Sequence, residues 1–163
     1  KIFYEFQTGA VSSDEFRARL RELLNNKVAT DSQIDDAWMA MIADIPFSRI
    51  KVIQELRKQF KVYLFSNTNE IHVKKLHDEF RAGHNMDFYS VFDKIYYSHE
   101  IHDAKPAVSS YLKVIADSGV TPGETLFVDD LMENIEGAEK AGLKGFWLPP
   151  GMDIAEVFAD YDN

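Results

Sequence analysis

From Lys61 onward, short runs rich in aromatic and β-branched residues alternate with stretches of helical periodicity, and this alternation restricts the possible folds more than any other feature. Lys61-Val-Tyr-Leu-Phe-Ser66, Asp93 to Tyr97, Thr125-Leu-Phe-Val-Asp129 and Lys144 to Leu148 read as strands. Helices are expected between them over Glu70 to Phe80, about Ala107 to Asp117 and about Met132 to Ala141, with a turn at Gly119 to Gly123 and Gly142 placed as a C-cap. Strands separated by helices cannot pair as hairpins. They join through βαβ crossovers, so the sequence predicts an α/β fold with a doubly wound parallel sheet covered on both faces.

The first part of the chain reads differently. Ser12-Ser13-Asp14-Glu15 has the form of a capping box ahead of Phe16, Leu20 and Leu23 or Leu24, and Thr30-Asp31-Ser32-Gln33 repeats that signature. Ile34, Ala37, Trp38, Met41 and Ile42 then fall on one helical face, and a third amphipathic stretch from about Ser48 carries Ile50, Ile53, Leu56 and Phe60. The division expected is a small helical unit over residues 1–48 and an α/β core over 49–163. A chain of 163 residues has room for that and not for two full enzyme domains.

With 18 Lys and Arg against 27 Asp and Glu, the formal charge of −9 repels phosphate backbones, so no nucleic-acid partner is expected. The absence of Cys excludes disulfides, thiolate nucleophiles and cysteine zinc sites. No apolar run has the length of a membrane span, and Lys1 to Gln7 lacks the layout of a secretory signal. The expectation is a cytoplasmic protein with no membrane partner.

In parallel α/β sheets, ligands collect at the carboxyl ends of strands. Three polar features lie at or just beyond such ends: Ser66-Asn67-Thr68-Asn69, Lys105-Pro106 and Asp129-Asp130. Adjacent carboxylates repel each other, and a hard divalent cation relieves the repulsion. A lysine supplies a point charge for phosphate oxygens, while a hydroxyl and nearby N–H groups hold another. Singly, Ser66 and Lys105 read as a cap and a surface residue. Together the three features point to phosphate handled with a divalent metal.

In these residues the chain resembles the haloacid dehalogenase superfamily, most of whose members are Mg²⁺-dependent phosphatases. Val62-Tyr-Leu-Phe-Ser66-Asn67-Thr68 matches its second motif, Ala104-Lys105-Pro106 its third, and Leu126-Phe-Val-Asp129-Asp130-Leu-Met-Glu-Asn134-Ile-Glu-Gly137-Ala138 its fourth. The helical opening is similar to the family's substrate-selecting cap. The wording of the motifs resembles the branch of sugar-phosphate phosphatases related to the N-terminal domain of mammalian soluble epoxide hydrolase. The resemblance implies that Ser66 and Asn67 contact the transferring phosphoryl group and that Lys105 holds both phosphate and nucleophile. It also implies that Asp130 binds Mg²⁺ directly and that Asp129 supports it through metal-bound water. The substrate implied is a small phosphorylated metabolite, hydrolysed through an aspartyl-phosphate.

The family's first motif, an Asp-x-Asp ending the first strand, has no match before residue 12, and Asp160-Tyr161-Asp162 reads as a solvated tail. The expectation is therefore that the chain begins inside the cap, lacks the first strand and the nucleophile, and is inactive as given. Alternative readings are a catalytically inactive phosphate-binding or scaffolding protein and a metal-independent dehalogenase, in which the acidic pair has no task. A phosphoacceptor receiver domain is rejected, because its acidic pair comes first in the chain. His99-x-x-His102-Asp103 lacks a defined third zinc ligand. His72, His77 and His84 read as solvated, while Trp38, Met41, Phe88, Tyr89, Phe92, Tyr96 and Tyr97 read as core.

Overall fold

The computed structural model describes residues 1–42 and 45–158; Asp160-Tyr161-Asp162 lies outside the described residues. Four helices come first: α1 (Ile2–Gln7), α2 (Ser13–Leu23), α3 (Asp31–Met39) and α4 (Phe47–Leu56). Then follow β1 (Tyr63–Ser66), α5 (Glu70–His84), β2 (Lys94–Tyr97), α6 (Ser98–Ile101), α7 (Val108–Ser118), β3 (Leu126–Asp129), α8 (Met132–Lys140), β4 (Lys144–Trp147) and α9 (Ile154–Val157). No described helix is long and apolar enough to cross a membrane.

The helix starts follow the capping chemistry. At α3 the Thr30 hydroxyl accepts from Gln33 N–H while the Gln33 side chain accepts from Thr30 N–H, a complete capping box. At α2 only half of the box forms: Ser12 Oγ accepts from Glu15 N–H at 3.2 Å, while the Glu15 carboxylate pairs forward with Arg19. Helix α8 closes in a Schellman arrangement, with Gly142 N–H donating to Glu139 O and Leu143 N–H to Ala138 O. The φ of +92° at Gly142 is why glycine stands there.

Both ladders are parallel. Strand β1 pairs with β2, aligning Ser66 with Tyr97, and β3 pairs with β4, aligning Asp129 with Trp147. The ladders are separate two-stranded sheets, so β1 and β3 are not bonded to each other. They nevertheless share neighbours. The buried Tyr111 ring of α7 stands edge-on to Phe65 of β1 at 5.6 Å and to Phe127 of β3 at 5.3 Å. The doubly wound parallel sheet expected from the sequence is thus present as two separate two-stranded halves.

Two apolar clusters carry the packing. Phe6, Val11, Phe16, Leu20 and Met39 from the first three helices and their connections close over Ile71 of α5. Ile50 of α4 packs with Phe80, Phe88, Val91 and Phe92 beside β1 and β2. Two core assignments are corrected. Helix α3 ends at Met39, which is buried, whereas Met41 lies beyond it and is 62% exposed. Tyr89 is exposed in the short 3-10 turn Phe88–Val91, which rotates it away from the core that Phe88 enters.

Gly137 of α8 fixes how closely that helix approaches the Lys105–Pro106 loop. A Cβ there would lie 2.4 Å from Pro106 O and 2.9 Å from Tyr111 Cε2. Gly137→Ala gains about 1 kcal/mol of helix propensity but overpacks two rigid neighbours. The expected net outcome is a loss of up to about 2 kcal/mol, read as a lower urea midpoint at unchanged slope.

Candidate active site

The carboxyl ends of β1 and β3 and the loop before α7 converge on Lys105. Its Nζ donates to Phe65 O at 3.0 Å and to Asp129 Oδ2 at 2.7 Å, so one ammonium touches both ladders. It also lies 5.3 Å from the Phe65 ring centroid and 5.4 Å from that of Phe127. The Lys105 and Asp129 side chains are 10% and 7% exposed. The lysine main chain is fixed as firmly. Asn67 Nδ2 donates to Lys105 O at 2.8 Å, and Lys105 N–H donates to Asn67 Oδ1 at 2.9 Å. The Asn67 carboxamide therefore mimics a strand partner for residue 105.

Asp129 is held from its other side. Its Oδ1 accepts from Leu131 N–H and from Asn134 Nδ2, both at 2.9 Å, and Asn134 is itself buried. Tyr111 OH donates to Asn134 O at 2.7 Å, linking this end of β3 to α7. Burial pushes the Asp129 carboxyl upward, yet the Lys105 charge and hydrogen bond, with those from Leu131 and Asn134, outweigh it and hold the group below the ordinary carboxylate value. Asp130 is its opposite. It is exposed, its carboxylate makes no hydrogen bond or ion pair with the described residues, and only its carbonyl is used, accepting from Trp147 Nε1 at 2.9 Å.

Ser66 ends β1, and its hydroxyl has no hydrogen-bond partner among the described residues. Two residues on, Thr68 N–H is already taken by Ser98 Oγ at 2.9 Å, so that amide is not open to an anion. The structure thus gathers Asn67, Lys105 and Asp129 into one bonded cluster, with Ser66 beside it on β1 and Asp130 on its solvent side.

Among the described residues no group of three or more His, Asp or Glu side chains is placed to hold a metal. His102 Nδ1 instead faces Thr8 O at 3.1 Å and Asp103 pairs with Lys113 at 3.3 Å, so both are engaged within the fold. Mg²⁺ is commonly bound by one or two carboxylates plus waters and substrate phosphate. An open Asp130 beside a tethered Asp129 fits such a site.

The histidine reading is corrected at all three positions. His72, His77 and His84 are partly buried; His77 Nε2 lies 2.7 Å from Tyr97 OH, and the His84 ring stacks on Phe47 at 5.3 Å. Sequence reasoning also gave no role to Asn134 and Ser98. An amide in the first turn after an acidic pair is a readable signal for Asn134; Ser98 carries no comparable signal.

The haloacid dehalogenase-like hydrolase family model matches residues 4–142, and the chain belongs to this family. It is 33% identical over 152 residues to a D-ribitol-5-phosphate phosphatase from Bacteroides thetaiotaomicron, covering 93% of this chain and 73% of that protein. A haloacid dehalogenase family enzyme from the same organism, solved as a magnesium complex, superposes with a TM-score of 0.91 at 34% identity, covering 96% of this chain and 79% of that one. The same enzyme has been solved with magnesium and inorganic phosphate. A structure described as a predicted HAD-like family hydrolase from Porphyromonas gingivalis gives a TM-score of 0.90 at 28% identity, covering 99% and 78%.

Asp129→Ala leaves the Lys105 ammonium buried without its carboxylate and is expected to cost about 3–5 kcal/mol, whereas Lys105→Met with Asp129→Ala costs less than the single change. Denaturant titration of the three proteins measures this. A carboxyl lowered on folding stabilises fully above the ordinary value of about 4 and loses that contribution as pH falls through its folded value. The acid limb of stability in Asp129→Asn should accordingly be shallower than in the parent.

Proposed function

We propose that the chain is the cap and most of the core of a Mg²⁺-dependent phosphomonoester hydrolase acting on a small phosphorylated metabolite, a sugar or polyol phosphate by analogy with the ribitol-5-phosphate phosphatase. The observation that carries this reading is the Lys105 ammonium, held between Phe65 O and Asp129 with Ser66 beside it on β1 and Asp130 on the solvent side. A preorganised charge of this kind is what phosphoryl transfer requires of a protein. In this reading residues 1–48 are the cap and 49–163 the core.

Phosphorus is attacked in line by a carboxylate from a segment preceding Lys1. That segment enters as a parallel strand between β1 and β3, which are not paired with each other. The P–O bond to the leaving group breaks as the new P–O bond forms, and water then hydrolyses the aspartyl-phosphate. Ser66 donates its hydroxyl to a phosphoryl oxygen, and Lys105 neutralises charge on another while orienting the attacking carboxylate. Asn67 acts on the phosphoryl group through its placement of Lys105, since its carboxamide is engaged there. Asp130 would hold Mg²⁺ directly, with Asp129 supporting it; the cation supplies charge neutralisation to the phosphoryl oxygens.

The test is hydrolysis of an aryl phosphate with Mg²⁺ and with EDTA, by this chain and by the full product of its gene. Metal-dependent turnover by the full product is expected, and turnover by neither would sink the enzyme reading in favour of an inactive phosphate-binding protein. In the active form Asp130→Ala should abolish the Mg²⁺-dependent rate, and Lys105→Ala should lower kcat by about 10²–10³-fold.

A further inference from the structure

We infer that His72 is a positioning residue that ties the loop carrying Ser66 and Asn67 to the seating of the helical unit above it. The inference rests on the phosphate-site reading of that loop and adds a residue to it.

The hydrogen-bond pattern around His72 is set by a main-chain group. Asn69, 5% exposed, is the N-cap of α5, and its Oδ1 accepts from His72 N–H at 3.1 Å. A main-chain amide can only donate, so Oδ1 is fixed as the acceptor and Nδ2 must be the atom turned toward His72 Nδ1, 3.1 Å away. Nδ1 is then the bare nitrogen. Nε2 carries the proton and donates it to Trp38 O in α3 at 3.2 Å. One imidazole thus accepts from the end of the 66–69 loop and donates to the helical unit.

The contact is braced on both sides. The Trp38 ring stacks on His72 at 5.4 Å and 21°, and Phe3 of α1 stacks on Trp38 at 5.4 Å and 7°. Ile71, the preceding residue, is buried in the apolar cluster of the first three helices. Nearby, Lys75 of α5 reaches Asp36 of α3 at 3.6 Å, but Asp36 is largely exposed and a pair of that kind contributes little. Burial lowers the basicity of His72, consistent with the neutral tautomer that the hydrogen bonds require. When the helical unit shifts against α5, the Trp38 carbonyl leaves Nε2, and the ring that orients Asn69 loses its anchor.

Two variants separate this role from packing. His72→Phe keeps a ring against Trp38 and removes both side-chain hydrogen bonds, while His72→Gln keeps a donor for Trp38 O and an acceptor for Asn69 Nδ2. In the full gene product, inorganic phosphate affinity with Mg²⁺ by calorimetry and aryl phosphate kinetics are the readouts. Expected for His72→Phe is a roughly tenfold weaker phosphate affinity and a matching rise in KM, with kcat changed far less. His72→Gln should recover most of the loss. Native affinity in His72→Phe, or equal losses in both variants, overturns the inference alone. Absence of phosphate binding by the unaltered protein overturns the phosphate-site reading and this inference with it.

Discussion

The Lys105–Asp129 ion pair is the contact on which the arrangement of this molecule turns, because it joins halves that no backbone ladder joins. No other ion pair among the described residues has both side chains so deeply buried; the nearest, Arg17–Asp35, is 15% and 28% exposed. Desolvating two charges is costly, and pairs of this sort add little net stability compared with apolar residues of the same volume. What the pair provides is a charge in a fixed place. Asn67 grips the lysine main chain and Asn134 and Leu131 grip the carboxylate, so each partner is held by contacts beyond the pair itself.

The helical unit is connected to the same machinery through main-chain groups. Ser98 Oγ, fully buried, accepts from Thr68 N–H and lies 2.7 Å from Gln7 O, while His102 faces Thr8 O. Gly9 lets this junction close, since a Cβ there would lie 2.3 Å from His99 O. The end of α1 is thereby fastened to the segment after β2, and α3 to α5. These fastenings fix how the helical unit sits on the α/β core.

Much of this was legible in the sequence. Val62-Tyr-Leu-Phe and Leu126-Phe-Val are apolar enough to be read as buried strands wherever they occur, and Thr30 with Gln33 specifies its helix start by local chemistry alone. Ser66 and Asp129 stand at strand ends, where the same pattern places them. The failures share a cause. Whether Met39 or Met41 faces the core depends on where α3 stops, and the pairing of the Asn67 carboxamide with Lys105 depends on a loop 38 residues away. His72 and Ser98 owe their roles to partners in other elements, and periodicity carries no record of those.

The separation of the ladders also bears on how the chain acquires its structure. Strands β3 and β4 and the helix between them lie within residues 126–147, and β1, α5 and β2 within 63–97. Each parallel ladder closes through its own crossover, so the loop entropy lost in forming it is that of a short segment. No strand pairing ties one ladder to the other. The contacts of Lys105 with Phe65 and Asp129, 40 and 24 residues distant in sequence, then serve as the latch that makes two local units one cooperative body.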